Sequence, residues 1–273
     1  SGIAPRIAIN HGRCFAGNAV IFGCADITIA TRASNIGLAG PAMIEGGGLG
    51  KFAPEQIGPV DVQASNGVID VVVANEAEGV ATAKRLLGYF QGRLRTHDCA
   101  DQRALRHLVP ESRLRVYDMR AVIDTLADTG SVTELRRHYG VGIITALIRI
   151  EGIPFGLMAN DPRHLGGAID SPAAEKAGRF LQLSDVYGLP VISLCDTPGY
   201  MVGPESETTA AVRRGSRLLL AGANLTVPLF TVVTRKGYGL GAQAMAGGSF
   251  HRALLTCAWP TGEFGPMGLE GAV

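Results

Sequence analysis

The sequence predicts an α/β fold built from two related units, and three observations carry that expectation. Short apolar runs of strand character alternate with helix-patterned stretches along the 273 residues. Glycine is abundant, with 37 residues clustering at 46–48, 166–167, 237–241 and 247–248, where it allows turns and close backbone approach. The chain also echoes itself. Early on come a strand, a glycine turn, a small-residue helix, a strand over 26–30, then Gly40-Pro41-Ala42-Met43. Near the end come a strand, the turn 237–241, the small-residue stretch 242–248, a strand over 254–258, then Gly265-Pro266-Met267-Gly268.

In chain order, 6–9 reads as a strand, 14–18 as a turn, 19–24 as a short buried helix and 26–30 as a second strand. The Gly40-Pro41 turn opens a glycine-rich loop that runs to Gly50, and 68–73 is a further strand. Glu76 to Phe90 is patterned as an amphipathic helix with Val80, Ala83, Leu86, Leu87 and Phe90 on one side. From 91 to about 116, Arg, His, Asp and Gln dominate around Pro110, the composition of a linker. A helix follows over 117–126. Strands are expected at 142–149, 155–159, 190–194 and 228–233, with helices at 173–187 and 208–223 between them. The expected organisation is a first half over 1–92, a linker over 93–116 and a second half over 117–273.

Composition excludes several functions. A formal net charge of +1 leaves no electrostatic footprint for nucleic acid and no polybasic patch for a membrane. The five cysteines are odd in number and widely spaced, with no C-x-x-C, which suits free thiols in a reducing compartment. The six histidines form no H-E-x-x-H or His/Cys cluster, so no metal site is expected. No apolar run reaches membrane-spanning length and no signal pattern opens the chain, so it reads as soluble and cytoplasmic. Asp196-Thr197-Pro198-Gly199 looks like a GTPase element, but no G-x-x-x-x-G-K-[ST] accompanies it. Gly237-x-Gly239-x-x-Ala242 is a loose dinucleotide pattern, without a second strand ending in an acidic residue. What remains is the glycine turn between strand and helix, which presents backbone N–H groups as an oxyanion site. Two copies imply two such sites.

In their order along the chain, these segments resemble the carboxyltransferase family of biotin-dependent acyl-CoA carboxylases. The resemblance rests on Gly12-Arg13-Cys14-Phe15-Ala16-Gly17-Asn18-Ala19, Gly40-Pro41-Ala42-Met43-Ile44, Leu108-Val109-Pro110 and Tyr117-Asp118-Met119-Arg120-Ala121-Val122-Ile123. It continues through Ala159-Asn160-Asp161-Pro162, Asp196-Thr197-Pro198-Gly199-Tyr200, Arg235-Lys236-Gly237-Tyr238-Gly239-Leu240-Gly241 and Ala258-Trp259-Pro260-Thr261. It implies two crotonase-like domains of the ClpP/crotonase spiral type. Family chains start well upstream and continue beyond the last residue here, so both domains are expected to be incomplete.

The resemblance implies a carboxyltransferase that moves CO2 from carboxybiotin to the α-carbon of a short acyl-CoA. The cofactor itself is then the base, so no catalytic His, Cys or carboxylate is needed. The protein supplies two backbone oxyanion holes, each contributing roughly 3 kcal/mol. By motif position, Gly17 and Asn18 are the donors to the thioester oxygen, and Leu240 and Gly241 face the biotin ureido oxygen. Position 18 is glycine in many family members; Asn18 keeps the N–H but accepts unusual φ less freely. Arg235, Lys236, Tyr238, Gly239 and Gln243 are expected to contact substrate. With no Ala-Met-Lys-Met biotin-attachment motif, biotin arrives on a partner. The implied partners are a biotin carboxylase, a biotin carboxyl carrier subunit and further copies of the chain, with the active site at the dimer interface. Acetyl- and propionyl-CoA are the leading substrates. Two other roles stay open: a biotin-dependent decarboxylase or transcarboxylase subunit acting on malonyl- or methylmalonyl-CoA, and a non-catalytic assembly subunit.

Overall fold

The computed structural model describes residues 2–112 and 114–268. Its chain divides into two compact units, one formed by 1–88 with 136–139 and the other by 89–135 with 140–273. The last five residues of the expected second half, 269–273, lie outside the described residues.

The first unit is built on three parallel strands in the order β1 (Ile7–Asn10), β3 (Ile27–Thr31), β5 (Val71–Val73). All five residues of β3 are buried, as befits a central parallel strand covered on both faces. A second, two-stranded parallel pair joins β2 (Arg13–Phe15) to β4 (Asn35–Gly37). The unit's described residues also form the α-helices α1 (Gly17–Gly23), α2 (Pro41–Gly46), α3 (Val60–Ser65) and α4 (Glu76–Gly88). Its core gathers Cys14, Ala19, Phe22, Ala30, Ile36, Val60 and Ile69. Helix α4 buries Gly79, Thr82 and Leu86, leaving Val80 and Leu87 largely exposed. The helix is therefore rotated from the face its apolar residues predict. Gly79 is the cause: a Cβ there would stand 3.2 Å from Ile9 Cγ2, so its absence lets the helix lie close on β1. The segment 136–139 enters this unit through Arg136, whose Nε donates to the buried Asp70 carboxylate at 2.8 Å.

The second unit carries one large sheet in the order β11-β10-β9-β8-β7-β6, with β12 also pairing with β10. Its elements are α5 (Leu105–Leu108), α6 (Met119–Leu126), β6 (Thr133–Leu135), β7 (Ile143–Ile150), β8 (Ile153–Asn160), α7 (Ser171–Val186) and β9 (Val191–Thr197). They continue with α8 (Pro204–Glu207), α9 (Ala211–Ala223), β10 (Leu229–Tyr238), α10 (Gly239–Met245), β11 (Leu255–Ala258) and β12 (Glu263–Gly265). β7 and β8 form a hairpin closed by Glu151 and Gly152, both at positive φ as a tight primed turn requires. β8, β9, β10 and β11 run parallel. Alternate residues of the central strands (Ile144, Ala146, Ile148; Leu157, Ala159; Ile192, Leu194) form one core face, closed by Met119, Val122 and Ile123 of α6.

The polar stretch 93–116 is not a free linker. Leu105, Leu108 and Val109, spaced three and four apart, turn inward on α5 and join that core. The glycine-rich segment after Gly40 likewise contains the helix α2, started by Pro41 at its first turn.

Candidate functional site

In the first unit, β2 hands the chain to Ala16, which holds φ 55° and ψ −127° and caps α1. The Ala16 amide donates to the Gly37 carbonyl of the paired strand β4 at 3.1 Å, and its own carbonyl accepts from Ala19 and Val20. Gly17 and Asn18 open the helix on the exposed side, and neither amide donates to another described residue. Two adjacent N–H groups are thus left free at a helix start. The unusual backbone conformation falls on Ala16 and not on Asn18, so asparagine at 18 leaves the turn undisturbed.

The second unit repeats the device. β10 delivers the chain to Gly239 at φ 58°, the first residue of α10, and Leu240 and Gly241 follow it in the first turn. Again neither the Leu240 nor the Gly241 amide donates to a described residue. Phe15-Ala16-Gly17-Asn18-Ala19 and Tyr238-Gly239-Leu240-Gly241-Ala242 are therefore equivalent, with the positive-φ residue second in each. The ladders agree. Arg13, Cys14 and Phe15 face Asn35, Ile36 and Gly37 in parallel, as Lys236, Gly237 and Tyr238 face Glu263, Phe264 and Gly265. Upstream, Ile7 faces Ile27 as Phe230 faces Leu255. In both units one strand pairs with one partner, kinks, pairs with another and ends in the donor turn.

Packing fixes the second turn tightly. A Cβ on Gly241 would lie 2.7 Å from Gly199 Cα, so the Thr197-Pro198-Gly199 segment lies directly against the start of α10. Beneath the kink in β10, fully buried Asp196 on β9 accepts the Lys236 N–H at 3.1 Å and pairs with the Arg235 guanidinium at 3.1 Å and Lys236 Nζ at 3.5 Å. Arg235 is 2% exposed, donates to the Ser112 and Arg115 carbonyls, and stacks on the Tyr117 ring at 4.9 Å. Burial, then the Asp196 charge, push the Tyr117 hydroxyl pKa up.

The predicted contact residues separate accordingly. Arg235 is committed inward, and Lys236 Nζ holds the Gly166 carbonyl at 2.5 Å. The Tyr238 hydroxyl is hydrogen-bonded to Glu263. Gly239 supplies the positive φ, and Gln243 stands half-buried on α10. Beside Leu240 a pocket of about 230 Å³ opens, lined mostly by apolar groups including Tyr200, Met201, Val202, Val212 and Leu219. Sequence reasoning missed Asp196 and Asn160, whose Oδ1 accepts the Asp196 N–H at 3.1 Å. A carboxylate at the end of an apolar strand was the signal available. Among the described residues no group of three His, Cys, Asp or Glu is placed to hold a metal ion. None of their helices is long and apolar enough to cross a membrane.

Fold and turns define an α/β protein that carries one strand–kink–turn–helix unit twice, each copy opening a helix on two free amides. The carboxyl transferase domain model matches residues 1–273, and the chain belongs to that family. It is 33% identical over its whole length to the biotin-dependent long chain acyl-coenzyme A carboxylase beta4 subunit of Mycobacterium tuberculosis, covering 54% of it. All of it superposes, with a TM-score of 0.98 and 60% identity, on 28% of a single-chain, multi-domain long-chain acyl-CoA carboxylase. It also superposes on 55% of transcarboxylase 12S, solved with methylmalonyl-coenzyme A and methylmalonic acid bound, with a TM-score of 0.90 and 30% identity. The fold is thus the α/β carboxyltransferase fold. The chain spans about half the length of the curated relatives it matches.

Proposed function

We propose that this chain is part of the carboxyltransferase component of a biotin-dependent acyl-CoA carboxylase, and that its two units are crotonase-like halves. The observation that carries the reading is the repeated donor turn, Gly17 with Asn18 and Leu240 with Gly241, in a chain of the carboxyl transferase family. Neutral amides suit the chemistry, because an enolate or ureido oxygen gains charge as the reaction proceeds and fixed dipoles stabilise it without reorganising. Carboxybiotin, carried by a partner, supplies CO2 and the base. The Gly17 and Asn18 amides hold the thioester oxygen as the α-proton leaves. The Leu240 and Gly241 amides hold the ureido oxygen, and the apolar pocket beside Leu240 shields that side from water. Each donor pair contributes roughly 3 kcal/mol.

The active site is assembled between the first half of one protomer and the second half of another, with a biotin carboxylase and a carrier subunit as further partners in the cytoplasm. Acetyl- and propionyl-CoA are the substrates proposed first. The likeness to transcarboxylase 12S supports a second reading, removal or exchange of the carboxyl group of a malonyl- or methylmalonyl-type thioester, which needs the same donors.

The test reconstitutes the full-length protein with a biotin carboxylase, ATP and a biotinylated carrier, and follows labelled bicarbonate into the carboxylated products of acetyl- and propionyl-CoA. Label in either product supports the proposal. Acyl-CoA binding without incorporation, with a carrier shown to be carboxylated, contradicts it.

A further inference from the structure

We propose that Asp196 and Arg235 are positioning residues that set the direction of the Leu240 and Gly241 amides. The inference rests on the reading of those amides as oxyanion donors. The donor turn follows a kink in both copies of the repeated unit, yet the kinks are built differently. In the first unit the kink runs through Asn10, His11 and Gly12; Gly12 sits at φ 78° and its carbonyl accepts from Asn10 Nδ2 at 3.0 Å. In the second unit Arg235 stands where Gly12 stands in the first. The kink is wider on β10 than on its partner: Val233 faces Cys195 and Gly237 faces Thr197, so four residues advance against two.

Asp196 lies opposite this kink, with no exposed surface. It is bonded to the strand it faces through the Lys236 N–H and through two cations. Arg235 carries the connection onward to the Ser112 and Arg115 carbonyls and to the Tyr117 face. Lys236 carries it to the Gly166 carbonyl, and the backbone of Gly167 packs against the Asp196 carbonyl so closely that a Cβ would stand at 2.1 Å. Three segments are thereby pinned to the strand four to six residues ahead of Leu240 and Gly241.

The strand–turn–helix unit does not need such a pair, since the first unit makes it with a glycine. A buried ion pair is moreover weak evidence for stability, because desolvation offsets most of its attraction. What the pair adds is direction. It holds the second kink through a buried carboxylate and two cations, where the first is held by hydrogen bonds to the Asn10 and Gly12 carbonyls, and its last held atom, the Lys236 N–H, precedes the donor turn. Misplacing a catalytic donor by about 1 Å costs on the order of 10²-fold in rate.

The experiment uses the full-length protein with free biotin as probe. It compares Asp196→Asn and the double substitution Asp196→Asn with Arg235→Met, which removes both charges and so leaves neither buried alone. Three quantities are measured: the biotin-dependent rate of acetyl- or propionyl-CoA release at saturating malonyl- or methylmalonyl-CoA, the dissociation constant of that thioester by calorimetry without biotin, and the thermal midpoint. Both variants are expected to lose about 10²-fold in rate, with acyl-CoA affinity unchanged and the midpoint recovered in the double variant. A double variant that regains both midpoint and rate overturns the proposal, because the pair is then merely stabilising. So does an Asp196→Asn protein of unchanged rate, or one whose acyl-CoA affinity falls as far as its rate. An unsubstituted protein that binds acyl-CoA without any biotin-dependent turnover overturns the donor reading itself, and this proposal with it.

Discussion

Replacing Gly241 by alanine separates a donor held by packing from one held loosely. The added Cβ would stand 2.7 Å from both Cα and the carbonyl carbon of Gly199 and 3.1 Å from its oxygen. These are backbone atoms, so no side chain can rotate away. Relief needs a shift of about 0.7 Å between the start of α10 and the Thr197–Gly199 turn, an overpacking that costs about 1–3 kcal/mol. The Leu240 and Gly241 amides move with α10, and a displacement approaching 1 Å lowers the rate by on the order of 10²-fold. The assay is biotin-dependent turnover by the full-length protein, with acyl-CoA affinity and thermal midpoint measured alongside. The expected result is a rate lower by one to two orders of magnitude, a modestly lowered midpoint and unchanged acyl-CoA affinity. A Gly241→Ala protein that turns over at the unsubstituted rate would refute the reasoning.

Gly17→Ala makes the opposite case, since a Cβ there meets nothing within 4 Å and φ is ordinary; the midpoint should hold or rise, with up to about 1 kcal/mol gained in helix propensity. If the space over Gly17 is where a thioester oxygen docks, turnover still falls, and full activity would contradict docking there. Ala16→Gly relieves a strained conformation worth about 1–3 kcal/mol at a chain-entropy cost of about 0.5–1 kcal/mol. The midpoint should therefore rise by a few degrees, and a fall would show that Ala16 is not strained. Burial pushes the Asp161 carboxyl up, but hydrogen bonds from Arg163 and Arg120 outweigh it and hold the group below its ordinary value. Its contribution to stability is thus present above about pH 4 and lost as pH falls through the lower folded value. The urea midpoints of the unsubstituted and Asp161→Asn proteins should converge below about pH 4, and a constant gap would contradict this.

The α/β class and most buried strands were legible because burial on both faces writes short runs dominated by apolar and β-branched residues, as in β3, β7 and β9. The echo between the halves was legible because glycine and proline punctuate both copies alike. The elements that escaped are short or set by non-local contacts. β2, β4, β6 and β12 have three residues each, too few for any periodicity to register. The burying face of α4 depends on the missing side chain of Gly79, which hydrophobicity does not reward. The stretch 93–116 hides Leu105 and Val109 among charged neighbours that remain exposed. The donor turns were found from glycine placement, yet the strain at Ala16 was invisible because alanine does not advertise positive φ. Asp196 was read as one letter of a motif; that it pairs with Arg235 follows only from the ladder that sets β9 beside β10.

The most direct test of the central claim gives the full-length protein free biotin with malonyl-CoA or methylmalonyl-CoA and follows release of acetyl- or propionyl-CoA. Biotin-dependent release from one of them, lost in Gly241→Ala, is the result predicted for carboxyl transfer through backbone donors. No release from either, with acyl-CoA binding intact, would contradict it.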